Sequence, residues 1–251
     1  MIQRPFFLAL RLLTTLPVPE VTDPSERELG LSVLLYPCVG VVLGVILWGL
    51  AHGADLWPEN LLAAIILFFW LALTGGLHLE GLGDLADAWV GGIGRPERML
   101  EIMKDPRCGP AAVMAISMQI LFKFVAIQTL LQQQHFIVLF FAPIMGRTAF
   151  LPLMLSTPYL RQGGMAAAAI KGVPKKAGWL VVGAVGLMIA MGGAACIFWA
   201  FVTTAWLLVI FRWTINRRLG GITGDVLGAG CELSETIFLL AALLLPMSCG
   251  Q

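Results

Sequence analysis

Long apolar runs separated by short polar segments dominate this chain of 251 residues. Runs long enough to cross a bilayer occupy 31–52, 61–79, 111–131, 136–155 and 225–246. The run 178–213 would extend about 54 Å as one helix, well beyond a hydrocarbon layer of about 30 Å. Gly192-Gly193 is the natural break within it, giving two spans there. The pattern therefore predicts an all-α polytopic membrane bundle of about seven transmembrane helices plus interfacial helices. The first apolar stretch, Phe6 to Leu16, is too short to span and ends at Pro17-Val18-Pro19. No small-residue cleavage site follows it, so an interfacial or re-entrant helix is expected rather than a signal peptide. The segment Arg95 to Arg107 puts Met99, Leu100, Ile102 and Met103 on one side, which predicts a second interfacial helix.

Composition agrees. The chain is 59% hydrophobic and 12% charged, with a mean hydropathy of +0.88. A soluble domain carries about twice that share of charge. The formal net charge of +1 carries no signal of nucleic-acid binding, and no nucleic-acid partner is expected of a membrane bundle. Cys38, Cys108, Cys196, Cys231 and Cys249 show no CxxC or metal-ligand spacing, and free thiols are expected rather than a zinc site or disulfide framework. No second soluble domain interrupts residues 1–251.

The loop charges test the span count. Seven spans put the groups Arg4/Arg11/Arg27, Arg95/Arg98/Lys104/Arg107, Arg161/Lys171/Lys175/Lys176 and Arg212/Arg217/Arg218 all on the N-terminal side. The positive-inside rule makes that side cytoplasmic.

Against this apolar background, acidic residues need a reason. Glu80, Asp84 and Asp87 are spaced i, i+4 and i+7, within about 60° of arc on a helix. Three carboxylates on one stripe repel unless a cation lies among them. A second cluster, GGITGDVLGAGCELSE at 220–235, puts Asp225 and Glu232 on one face, with Glu235 rotated off it. Asp225 is expected at the same cytoplasmic end as the first cluster, and Glu232 about 10 Å deeper. All-oxygen ligands favour Mg²⁺, Mn²⁺ or Ca²⁺ over zinc or copper, and carboxylates from two helices suit metal ions bridging a diphosphate. The candidate metal ligands are Glu80, Asp84, Asp87, Asp225 and Glu232.

Two basic residues stand inside apolar runs, Lys123 in MQILFKFVAI and Arg147 in PIMGRTAF. Each is open to two readings, a diphosphate clamp or a buried ion pair with Glu232 or Glu235. Glu235 is expected to be structural. Gly224 before Asp225 marks a loop-to-helix entry whose exposed N-terminus suits phosphate. His78 points away from the acidic stripe on a continuous helix, and it is open to a hydrogen-bonding or a catalytic role.

These residues resemble a known family. GGLHLEGLGDLADA, RMLEIMKDPRCG and GGITGDVLGAGCELSE, together with RLLTTLPVP, Lys123, GRTA around Arg147 and Arg217-Arg218-Leu219-Gly220-Gly221, are similar in order and content to the cobalamin synthases, the adenosylcobinamide-GDP ribazoletransferases. The resemblance covers nearly the whole chain. It implies a single multi-pass transferase domain of the bacterial inner membrane, with N-terminus and active site cytoplasmic, requiring Mg²⁺. Its substrates would be adenosylcobinamide-GDP and α-ribazole or its 5′-phosphate, and GMP the leaving product; a homo-oligomer is compatible with it. Asp84, Asp87, Asp225 and Glu232 fall on the family's acidic positions, and Glu80 stands where Asp is more usual. Asp84 or Asp87 would accept the attacking hydroxyl's proton, and Lys123, Arg147 or Arg217 would add positive charge. Two alternatives fit less well. A CDP-alcohol phosphotransferase would show DGxxAR, but Ala88-Trp89 follows Asp87. A cation transporter would carry acids near mid-bilayer rather than at one interface.

Overall fold

A computed structural model describes residues 2–53, 56–161, 163–191 and 195–244. Their regular structure is helical throughout: α1 Gln3–Leu13, α2 Glu26–Leu34, α3 Tyr36–Ala51, α4 Glu59–Thr74, α5 Leu77–Gly91, α6 Pro96–Ile102, α7 Pro110–Gln132, α8 Ile137–Ser156, α9 Gly164–Gly172, α10 Lys175–Met191, α11 Ala195–Leu219 and α12 Gly224–Leu244. Four of these (α7, α8, α11 and α12) are long and apolar enough to cross a membrane alone. The described helices reach seven spans if the bent pairs α2–α3, α4–α5 and α9–α10 each count as one. The predicted break at Gly192-Gly193 lies outside the described residues, with α10 ending just before it and α11 beginning just after.

The bends have local causes. Gly75 and Gly76 both adopt positive φ, +63° and +71°, a conformation that ends a right-handed helix at little cost only for glycine. The span expected over 61–79 therefore stops at Thr74, and α5 leaves at 86°. That turn detaches the acidic stripe from the preceding span. The α2–α3 bend of 47° falls at Leu35, just ahead of Pro37, which lacks a backbone N–H. Ser25 and Glu28 close a capping box at the start of α2, so this pair begins before residue 31.

Burial sorts the helices. The most apolar windows of α8 and α12 are 83% and 78% buried, whereas those of α7 and α11 are 28% and 22% buried. Thus α8 and α12 form the centre of the bundle. Phe122 and Val125 on α7, and Trp206 and Val209 on α11, are left exposed as a lipid-facing surface. Two apolar clusters make the core. One holds Trp70, Ile127, Leu139 and Phe238; the other holds Tyr36, Leu85, Phe150 and Val226. In α8 and α12 the buried charged residues Arg147, Glu232 and Glu235 fall in sequence between the parts belonging to each cluster.

The amphipathic segment forms α6, with Met99 and Met103 buried. Short α1 is tied to the end of α4 through Thr15 N–H donating to Leu73 O at 2.8 Å. Cys38, Cys108 and Cys231 are free thiols, as expected, and Cys249 lies outside the described residues. Cys196 corrects that expectation, because it is disulfide-bonded. Spacing alone could not show this, since a disulfide depends on spatial approach and on an oxidising side of the membrane.

Candidate active site

The site is set by the crossing of α5 and α12. A Cβ on Gly81 would stand 2.8 Å from the Asp225 carbonyl oxygen and 3.0 Å from its Cα. One turn further along α12, a Cβ on Gly228 would stand 3.1 Å from the Cα of His78. Only glycine lets the two backbones approach this closely. Two segments far apart in the sequence are thereby brought to one end of the bundle.

The four acids at that end are held differently. Glu80 is exposed, while Asp84, Asp87 and Asp225 are half-buried. Asp84 feels repulsion from Asp225, Glu80 and Asp87, and attraction from Arg161. Arg161 donates from Nη2 to Asp225 Oδ2 at 2.6 Å and to the Met103 carbonyl at 3.1 Å. Asp87 accepts from the backbone N–H of Gly109 at 2.6 Å and of Ala112 at 2.9 Å, so it caps the start of α7. Nearby, the exposed Arg107 guanidinium holds the Asp105 carboxyl down to about 2.

Arg161 is the site residue that local sequence reasoning misses, having read it only as a loop charge. It reaches Asp225 because the loop after α8 pairs with the loop before α12. There Leu160 N–H donates to Ile222 O at 2.9 Å, and Ile222 N–H to Pro158 O at 2.8 Å. No local pattern announces such a pairing. Beside it opens a cavity of about 900 Å³ whose wall includes Tyr36, His78, Gly81, Phe150, Arg161 and Asp225.

The remaining sequence candidates lie elsewhere. Lys123 Nζ donates to Glu232 Oε2 at 2.7 Å and Glu235 Oε2 at 2.5 Å, and lies 4.5 Å from the Trp70 ring centre. Arg147 pairs with the other oxygen of Glu235. Gln119 Nε2 adds donations to Glu232 Oε2 at 3.0 Å and Thr236 Oγ1 at 2.7 Å. All four charged residues are at most 3% exposed. Of the two readings left open, the structure has the ion pair for both Lys123 and Arg147. Glu232 therefore faces Lys123 two turns deeper than Asp225. Arg217 is exposed and stacks on Trp213 at 3.9 Å, and it is not part of the cavity wall.

Among the described residues no three His, Cys, Asp or Glu side chains are close enough to enclose a metal ion by themselves. The donor chemistry nevertheless suits a hard cation. Mg²⁺ commonly takes only one or two carboxylates and completes its shell with water and substrate phosphate. Four acids offset by one arginine leave net negative charge for such an ion to neutralise.

A family model described as cobalamin-5-phosphate synthase matches residues 5–243. The chain belongs to the cobalamin-5-phosphate synthase family. It is 45% identical to an adenosylcobinamide-GDP ribazoletransferase of Pseudomonas fluorescens, over 96% of this chain and 99% of that protein. Proteins of the same name from Pseudomonas putida and Ectopseudomonas mendocina are 42% and 46% identical, covering 96% and 94% of this chain and 98% and 97% of theirs. No solved structure matches the chain. The family match contains α5 and all but the last residue of α12, hence the whole crossing that builds the site.

Proposed function

We propose that this protein joins adenosylcobinamide-GDP to α-ribazole or its 5′-phosphate with release of GMP, at the cytoplasmic face of the bacterial inner membrane. The observation that carries the proposal is the α5–α12 crossing. In a chain of this family, it gathers acids from two distant segments beside a large cavity with Arg161 on its wall. A ribose hydroxyl attacks the phosphorus bearing the cobinamide aminopropanol. The new P–O bond forms as the bond to GMP breaks, GMP leaves with the bonding electrons, and the hydroxyl proton passes to a carboxylate of the cluster, Asp84.

Asp84 and Asp225 are the residues to hold a divalent cation, Mg²⁺ or Mn²⁺, with the exposed Glu80 adding negative charge beside them. When bound, it would neutralise the diphosphate and the charge arising on GMP. Arg161 orients the diphosphate. Its Nη2 remains on Asp225 while Nε, buried without a partner, is available to a phosphate oxygen. The N-terminus of α12, exposed at Gly224, adds backbone donors on the same side. Asp87 fixes α7 against α5 through its two backbone bonds. The Lys123–Glu232–Glu235–Arg147 cluster holds α7, α8 and α12 in register and is a positioning device rather than a substrate contact. A cavity opening at the interface suits a large amphiphilic corrinoid.

Two observations support the cytoplasmic orientation. Arg161 and Arg218 stand at the acidic end, Arg218 lying 4.0 Å over Trp89 of α5. The disulfide-bonded Cys196 begins α11 at the opposite end, suited to the oxidising side. The test supplies purified protein with adenosylcobinamide-GDP, α-ribazole and Mg²⁺. GMP released in step with a completed nucleotide loop is expected. Absence of both products from folded protein overturns the proposal.

A further inference from the structure

His78 is 3% exposed, and neither ring nitrogen has a hydrogen-bond partner. A neutral imidazole offers one donor and one acceptor, and leaving both unpaired in the interior is unfavourable. Packing alone would be better served by Leu or Phe. The ring is nevertheless held firmly. Phe150 lies 5.4 Å away and itself packs edge-on against Tyr36 at 5.4 Å. The backbone of His78 is pressed under Gly228. In the charged cluster nearby, Lys123 and Arg147 pair with Glu232 and Glu235, Arg147 Nε and Nη2 are also without a partner, and no member bonds to the imidazole.

The residue's place on α5 says what it could meet. His78, Gly81 and Asp84 follow at three-residue steps, a shallow spiral centred on the contact with Asp225. From His78 to Asp84 is about 9 Å along the axis, the reach of one nucleoside. The Asp84 end is acidic and carries Arg161, which suits a cation-bound diphosphate. Around His78 the cavity wall is Tyr36, Phe150, Met154 and Leu227, which suits a flat apolar base.

We infer that His78 grips the acceptor nucleoside, a planar apolar heteroaromatic base carrying a ribose, through a hydrogen bond from its ring. His78 is then a specificity-determining contact of the cavity. This rests on the transfer reaction proposed above and adds which substrate the inner part of the cavity takes.

The test compares wild type with His78→Leu and His78→Gln in purified, monodisperse protein. KM is measured separately for α-ribazole and for the GDP-linked donor, with equilibrium binding of α-ribazole alone as a readout free of turnover. His78→Leu is expected to raise the α-ribazole KM and Kd at least about tenfold while leaving the donor KM within about twofold. His78→Gln, which keeps a donor and an acceptor, is expected to recover most of the loss. The midpoint of thermal unfolding of His78→Leu stays at or above that of wild type, because a buried unpaired group is removed. Unchanged α-ribazole KM and Kd in His78→Leu overturn the inference. So does an equal rise in both KM values with a lowered unfolding midpoint, which marks a structural residue. A wild type that makes no product fails the transfer reading instead, and α-ribazole binding by the same samples still decides the role of His78.

Discussion

Replacing Lys123 with Met asks what the buried charges do. The cluster contains two cations, Lys123 and Arg147, and two anions, Glu232 and Glu235, all nearly inaccessible. Met keeps much of the stem volume but removes the ammonium that Glu232 and Glu235 share at 2.7 and 2.5 Å. One buried carboxylate is then uncompensated. Breaking such a pair costs about 3–5 kcal/mol, which lowers the unfolding midpoint by roughly 6–20 °C in a chain of this size. The double variant Lys123→Met/Glu232→Gln returns the cluster to neutrality, and the amide oxygen it introduces can still accept from Gln119. It should therefore recover most of the loss, a coupling far from additive. Thermal unfolding of detergent-purified protein measures stability, and GMP release measures activity. The double variant should also keep transfer within about tenfold, or about 1.4 kcal/mol, of wild type. A double variant as unstable as the sum of its singles would refute the ion-pair account. One that folds fully but transfers nothing would return Lys123 to the reacting phosphate.

Three further outcomes follow from the same geometry. Gly81→Val pushes a side chain against the Asp225 backbone; about 1–3 kcal/mol of stability and nearly all transfer should be lost, with Gly81→Ala milder in both, as unfolding and GMP assays will read. Asp87→Ala removes the cap on α7 and should cost about 0.5–2 kcal/mol in thermal unfolding; an unchanged midpoint would show that the cap is dispensable. Arg161→Gln should raise the KM for the GDP-linked donor far more than that for α-ribazole; equal effects on both would remove Arg161 from the diphosphate.

Much of the architecture can be read from the chain because a membrane enforces simple rules. Apolar length sets the spans, and an acid in such a run needs a partner. That logic found Glu80, Asp84, Asp87 and Asp225, which the structure brings to one end, and it included the ion pair among the fates of Lys123 and Arg147. It did not find Arg161, whose approach to Asp225 depends on two loops pairing across a long stretch of intervening chain. It also placed the end of a span at residue 79, because hydropathy does not register that two consecutive glycines at positive φ turn the chain through 86°. Nor could it fix Glu232. Helical periodicity puts Glu232 on the face of Asp225, but depth along α12 and the position of Lys123 on another helix decide its partner.

Equilibrium binding of Mn²⁺, followed by electron paramagnetic resonance in the presence of the GDP-linked donor, bears most directly on the meeting of α5 and α12 as a cation and diphosphate site. Wild type should show saturable binding that strengthens with the donor and is abolished in Asp84→Asn and in Asp225→Asn, both still folded. Undiminished binding in either variant would contradict the account.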